Sequence, residues 1–397
     1  MTKAGMVIIG AGECGVRAAF ALREQGFEGG VTLIGAEAVL PYERPPLSKA
    51  GQGEVKVIRP AESYVAAGID LRLGASVSRI DRKARSVELA DGSHVPYERL
   101  LLATGAQARL FTGFEACLTL RNDQDAKTIL AHMRSGARVG IIGGGFIGLE
   151  LAAMARQLGA TVTVFEAAPR LLARAVPEQI AAIVHARHTA EGVDLRIGAE
   201  VSAADSTSVI MADGTSLPFD VVVAGMGAVP NIDLALAAGL QVENGVIVDT
   251  DMRTSDPHIF AAGDCCNFEW RGARVRLESW KAAQDQGAHA AAAILGARAP
   301  YSKAPWFWSD QFDLTLQVTG MFDMNSPVQS RETGDDTALI FQCDNDGRLR
   351  AAAGIGTGNT VAKDIRILEK LIERGAAVDA ATISDPSQNL KRLLKAA

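Results

Sequence analysis

A chain that carries the same strand–glycine–helix pattern twice has few folds open to it. The first copy is Met6-Val-Ile-Ile-Gly-Ala-Gly-Glu-Cys-Gly15, followed by a helical stretch from Val16 to Gln25 and a second strand, Val31-Thr-Leu-Ile34. An apolar strand entering G-x-G-x-x-G, then a helix and a strand within about 30 residues, is a dinucleotide-binding unit. Gly10 permits the tight turn, Gly12 lets a pyrophosphate approach the backbone, and Gly15 lets helix and strand pack closely. Free N–H groups at the helix N-terminus, with its positive dipole end, favour the phosphates. The second copy is Val139-Gly-Ile-Ile-Gly-Gly-Gly-Phe-Ile-Gly148, with Gly143, Gly145 and Gly148 at the same spacing, a helix through Gln157 and the strand Thr161-Val-Thr-Val-Phe165. Two such units, about 133 residues apart, imply two bound dinucleotides.

An acid at the end of a unit's second strand selects the nucleotide. Glu166 stands there in the second copy; it would accept hydrogen bonds from a ribose and repel a 2′-phosphate, which favours NADH over NADPH. Arg170 and Arg174 nearby pull the other way. In the first copy the strand is followed by Gly35, Ala36 and only then Glu37. Three further strands end in small residues: Leu100 to Thr104-Gly105, Val221 to Gly227, and Ile259 to Gly263-Asp264. At the last of these, a carboxylate could take hydrogen bonds from a flavin's ribityl hydroxyls, or Asp264 could be a helix N-cap.

The 397 residues exceed one ordinary core of roughly 100–200 residues. With 48% apolar residues and 40 glycines against 14 prolines, the composition fits a compact α/β protein. The net charge of −6 is mixed along the chain, which gives no nucleic-acid surface. No apolar run reaches the roughly 20 residues of a membrane span, and the first residues do not read as an export signal, so a cytoplasmic protein is expected. Cys14, Cys117, Cys265, Cys266 and Cys343 lack CxxC or CxxxxC spacing and read as unpaired thiols of a reducing compartment.

Pro45-Pro-Leu-Ser-Lys49, the paired G-x-G-x-x-G units, Thr104-Gly105, Gly263-Asp264 and Pro305-Trp-Phe-Trp-Ser-Asp-Gln311 together resemble the ferredoxin and rubredoxin reductase family. These are the flavoprotein subunits that serve aromatic-ring dioxygenases and bacterial cytochromes P450. The likeness runs from about residue 5 to residue 320 and is weaker in the last 75 or so residues. It implies an α/β, glutathione-reductase-like fold with two Rossmann-like dinucleotide-binding domains and a small α+β C-terminal domain. FAD belongs in the first domain and NADH in the second. It further implies that Arg44, Lys49 and Arg121 contact FAD, that Val77 lies near its adenine, that Trp280 sits at the isoalloxazine, and that Trp308 lies near the flavin edge. Lys49 is expected beside the flavin, paired with Glu150; the alternative on residue grounds is that Glu150 is a solvated charge in a helix's first turn. The family's acid after the first unit's second strand is here Ala36, with Glu37 one residue later.

Cuts near residues 108 and 243 make the NADH domain, 109–243, an insertion in a discontinuous FAD domain of 1–108 and 244–316, with 317–397 as the C-terminal domain. Val246 to Asp249 reads as the returning strand. Leu314 to Val318 and Ala338 to Gln342 read as strands of an antiparallel sheet, and Asp364 to Arg374 as a helix. The stretch Arg44 to Ala50 holds no cysteine, where disulfide reductases of this fold carry a pair, and an iron–sulfur cluster would need four cysteines at ligating spacing. The six histidines form no metal site, and His185 and His188 read as surface residues. Electrons from NADH must therefore leave through FAD to a separate one-electron carrier, for which the resemblance implies a [2Fe-2S] ferredoxin. Rubredoxin reductase, NADH oxidase and an NADH-sensing flavoprotein acting through partners are the alternatives. A late basic cluster, Arg366, Lys370, Lys391, Arg392 and Lys395, reads either as a dock for an acidic carrier or as a solvated face.

Overall fold

The computed structural model describes residues 5–49, 55–334 and 337–396. Contacts group the chain into two units: 1–44, 55–107 and 228–303 form the first, and 45–54, 108–227 and 304–397 the second.

In the first unit the strand Gly5–Ile9 is buried along its whole length, as a strand covered on both faces must be. It lies between Val31–Ile34 and His94–Leu102, parallel to both, with Ile69–Arg72 outside Val31–Ile34 and Ile259–Ala261 beside His94–Leu102. His94–Leu102 changes character along its length. It alternates between exposed and buried where it pairs antiparallel with Ser86–Leu89, then becomes continuously buried where it joins the parallel core. The helix Glu13–Glu24 leaves the end of the first strand, and Trp280–Ile294 packs on it. That contact depends on Gly287, where a Cβ would fall 2.4 Å from the Cys14 carbonyl oxygen. Cys14, Cys265 and Cys266 are free and buried. The expected strand from Val246 to Asp249 forms only as Val246–Ile247.

The second unit repeats the arrangement with a four-stranded parallel sheet in the order Asp194–Ile197, Thr161–Glu166, Arg138–Ile142, Val221–Ala224. Phe146–Gln157 is the helix after its glycine turn. The C-terminal part is a five-stranded antiparallel sheet, ordered Trp306–Gln311, Leu314–Gly320, Leu349–Thr357, Thr337–Cys343, Gln329–Glu332. Leu316, Val318, Ile340, Ala353 and Ile355 of that sheet share one core with Leu149, Leu171, Ile180 and Val184 of the dinucleotide fold. The amphipathic helix Ala362–Glu373 buries Ile365, Leu368, Leu371 and Ile372. It can lie close because Gly354 has no side chain; a Cβ there would meet Val361 Cβ at 2.9 Å. Two of the late basic residues are neutralised on this helix: Arg366 pairs with Glu369 at 2.6 Å and Lys370 with Glu373 at 2.5 Å. Among the described residues, no helix is long and apolar enough to cross a membrane.

Candidate functional site: two nucleotide cradles and a buried charge cluster

In each glycine turn, two of the three glycines are required by the protein itself. At Gly10 the backbone has a φ of +111°, and a Cβ would fall 2.1 Å from the Ala103 carbonyl oxygen; at Gly15 it would fall 1.9 Å from that of Gly10. Gly143 and Gly148 repeat this, with the Gly225 oxygen at 2.4 Å and the Gly143 oxygen at 2.2 Å. The middle glycines differ. A Cβ at Gly12 or Gly145 would meet nothing within 4 Å. Among the described residues no neighbour demands glycine there, whereas a pyrophosphate resting on the helix N-terminus would. Both cradles therefore fit a dinucleotide.

In the first unit, Thr104 Oγ donates to the Asn231 carbonyl at 2.7 Å and the Asn231 amide donates back to the Thr104 carbonyl at 2.8 Å, which fixes the turn before Gly105. Gln286 is wholly buried, and its Oε1 accepts from the Gly263 N–H at 2.8 Å and from the Cys266 thiol at 3.2 Å. It thereby sets the turn that carries Asp264. Asp264 is not a helix N-cap: the chain after it turns into the strand Cys266–Trp270, and the next helix is capped by Ser279. Trp280 opens that helix, and Val77 opens the strand Val77–Asp81, half-buried. Glu37 accepts from the Tyr42 hydroxyl and pairs with Arg44 at 2.6 Å, so these two expected nucleotide residues hold each other.

In the second unit, Glu166 ends its strand with both carboxylate oxygens engaged. The Gly144 N–H donates to Oε2 and the Ala168 N–H to Oε1, each at 2.7 Å, which fixes the acid beside the glycine turn. The Arg170 guanidinium bonds the carbonyls of Leu171, Ala173 and Val176, while Arg174 is exposed. Gly227 has a φ of +103°. Arg121, half-buried, anchors its backbone N–H on the Asp125 carboxylate at 2.8 Å.

Lys49 and Glu150 come together as expected, within a larger cluster. Lys49 Nζ is 3.6 Å from Glu150 Oε1, 2.9 Å from Asp310 Oδ2, and 4.6 Å from the centre of the Trp308 ring. Glu150 is no solvated first-turn charge; it is 7% exposed and accepts from the hydroxyls of Ser48 and Ser309, the latter at 2.6 Å. Burial pushes its carboxyl pKa up, while Lys49 and the two hydroxyls pull it down. Asp310 also accepts from the Trp308 indole at 3.0 Å and from Thr315 at 2.9 Å. Ser48, Ser309 and Asp310 lie in the two sequence motifs that carried the resemblance, yet nothing in those motifs shows that they meet. His188 is a correction to the sequence reading: it is buried, and its Nε2 lies 2.9 Å from Gln311 Oε1.

Two phosphate cradles in one chain, with a Lys–carboxylate cluster and no cysteine in the stretch Arg44 to Lys49, define a two-nucleotide oxidoreductase that works without a redox disulfide there. Residues 5–287 match the pyridine nucleotide-disulphide oxidoreductase family model, and 306–394 match the reductase C-terminal model. The chain belongs to this family of oxidoreductases, whose ferredoxin–NAD+ reductases use FAD and NAD(H). It is 42% identical to the ferredoxin–NAD+ reductase component of the anthranilate 1,2-dioxygenase system of Burkholderia cepacia, over 99% of this chain and 100% of that one. It is 40% identical to the rubredoxin–NAD+ reductase of Pseudomonas putida, over 79% and 86%. The crystal structure of putidaredoxin reductase in covalent complex with putidaredoxin superposes with a TM-score of 0.93, at 34% identity, over 100% of this chain and 99% of that one.

Proposed function

We propose that this protein passes electrons from NADH, by way of FAD, to a [2Fe-2S] ferredoxin that serves a ring-hydroxylating dioxygenase or a cytochrome P450. The observation that carries the reading is the doubled cradle with an open middle glycine in each. The names of the relatives supply the carrier. FAD, when bound, supplies the exchange between a two-electron donor and one-electron acceptors.

The functional division we propose is an FAD domain of 1–108 and 244–316, an NADH domain of 109–243, and a C-terminal domain of 317–397, in a cytoplasmic protein. Gly10, Gly12, Gly15, Glu37, Arg44, Val77, Thr104, Gly105, Arg121, Gly263, Asp264, Trp280 and Trp308 hold FAD. Gly143, Gly145, Gly148, Glu166, Arg174 and Gly227 hold NADH. Glu166 accepts from the adenosine ribose and repels a 2′-phosphate. Lys49 supplies positive charge at the nicotinamide site, and Glu150 and Asp310 hold its ammonium in place. Hydride transfer asks chiefly for positioning, so no catalytic histidine is needed.

The test is an anaerobic titration of the purified yellow protein with NADH and separately with NADPH, following the visible flavin band. Bleaching by one equivalent of NADH, with NADPH ineffective at that level, is expected. A protein that is colourless, or keeps its colour with NADH, overturns the reading. A rubredoxin as carrier is the second reading, favoured by the Pseudomonas relative. Anaerobic reoxidation with each carrier in turn separates the two.

A further inference from the structure

The strand Trp306–Gln311 places Ser309 and Gln311 two residues apart on one face, and both are almost fully buried, at 1% and 3% exposure. Ser309 Oγ lies 2.6 Å from Glu150 Oε1, Gln311 Nε2 lies 3.1 Å from Ser309 Oγ, and His188 Nε2 lies 2.9 Å from Gln311 Oε1. Four buried polar side chains therefore form one line, ending at a carboxylate 3.6 Å from Lys49.

The line has one consistent direction. A Gln amide nitrogen only donates, so Gln311 Nε2 donates to Ser309, and the Ser309 proton is left for Glu150. Gln311 Oε1 only accepts, so His188 must carry its proton on Nε2. Burial lowers the His188 pKa to about 4, so the ring is neutral and has a single N–H to give. Its Nδ1 has no hydrogen-bond partner among the described residues, and the ring packs against Phe312 in a T-shaped arrangement, with centroids 5.0 Å apart. A buried imidazole with an unpartnered nitrogen is costlier than leucine or phenylalanine in the same space, so packing alone does not account for a histidine there.

We propose that His188, Gln311 and Ser309 are positioning residues: a one-way hydrogen-bond chain that keeps the Glu150 carboxylate ionised and aimed at Lys49. This rests on the reading of Lys49 and Glu150 as the charged pair of the nicotinamide site. The groups that face Glu150 are Ser48 and Lys49 from the turn Pro45–Ser48 and the residue after it, and Ser309 and Asp310 from the strand; burial first, and then Asp310, favour the protonated form and raise its pKa, while Lys49 and the two hydroxyls oppose them. Facing His188 are Gln311 and Phe312, with His185 one turn earlier on its own helix. If the chain is cut at His188, Gln311 is free to turn its amide over. The Ser309 hydroxyl then donates to Gln311 Oε1 and no longer to Glu150.

The experiment uses the FAD-loaded enzyme labelled with ¹³C-glutamate, with the Glu150 carboxyl band followed by infrared spectroscopy across pH and assigned by its loss in Glu150→Gln. Ser309→Ala and His188→Leu should each raise the Glu150 midpoint by about one pH unit, roughly tenfold in proton affinity, since each removes one donor from a carboxylate. His188→Gln, which keeps an N–H, should return it toward the wild-type value. Anaerobic stopped-flow reduction by NADH should show its pH profile displaced by the same amount, with KM little changed. A Glu150 midpoint unmoved in Ser309→Ala, in protein of native melting temperature, overturns the chain. That variant decides the matter even if His188→Leu does not fold. A moved midpoint with an unmoved rate profile upholds the chain and overturns the role given to Glu150.

Discussion

Glycines with the same place in a motif have different tasks, and the contrast between Gly145 and Gly148 makes those tasks measurable. A methyl group at Gly145 meets no protein atom, so Gly145→Ala should leave thermal stability almost unchanged. Crowding the pyrophosphate, it should raise the KM for NADH by roughly tenfold or more, about 1.4 kcal/mol of lost binding. Gly148→Ala drives a methyl group to 2.2 Å from the Gly143 oxygen, so helix and strand must separate. That change should destabilise the fold by about 3 kcal/mol or more. Thermal denaturation of both variants beside their NADH kinetics checks the pair; equal losses of stability would contradict the division. The three-glycine spacing was fully legible in the sequence. Which glycine faces backbone and which faces open space is decided by what lies across from each Cβ, which only the folded chain supplies.

At the scale of elements, the regular pieces announced themselves wherever their pattern was local. The helix read from Asp364 to Arg374 forms as Ala362–Glu373, because Ile365, Leu368 and Ile372 fall on one side at helical spacing. Leu368 is fully buried on that side, so Leu368→Ala should cost about 2–5 kcal/mol by chemical denaturation. Substitution of the exposed Lys363 by Ala should cost under about 0.5 kcal/mol. A small effect at Leu368 would mean that the helix is not held through this face. His188 was misread at this same scale. Its helix, Glu178–Ala190, has weak amphipathic contrast, with His185 exposed and His188 buried three residues later, so spacing gave no warning of which histidine faced inward. The basic cluster was also only half visible, since Glu369 and Glu373 on the same helix offset Arg366 and Lys370.

For the whole molecule, each unit carries its own cradle, so a nucleotide bound in it adds to the stability of the native state. A group that binds only the native state stabilises it by mass action, about 4 kcal/mol when it is present at roughly a thousand times its Kd. Removal of FAD should therefore lower the melting temperature by several degrees, and added FAD should restore it. An apoprotein that melts where the loaded protein does would mean that FAD is not bound by the native fold. The net charge of −6 suggests no nucleic-acid surface and the lack of a CxxxxC pair suggests no disulfide relay, both expectations drawn from composition and spacing alone.

The sequence by itself determined the two dinucleotide folds, because strand, glycine turn, helix and strand follow one another within about 30 residues and every signal is local. It also carried the resemblance that paired Lys49 with Glu150. The tertiary structure alone decided the surroundings of that pair. Ser48 and Glu150 are 102 residues apart in sequence, Ser309 and Glu150 159 apart, and Lys49 and Asp310 261 apart. No periodicity spans such distances. Their meeting follows from the C-terminal sheet sharing a core with the second dinucleotide fold, which lays Trp306–Gln311 along the helix that carries Glu150. The same packing turned His188 inward and gave it Gln311 as a partner, a contact with no trace in the order of the residues.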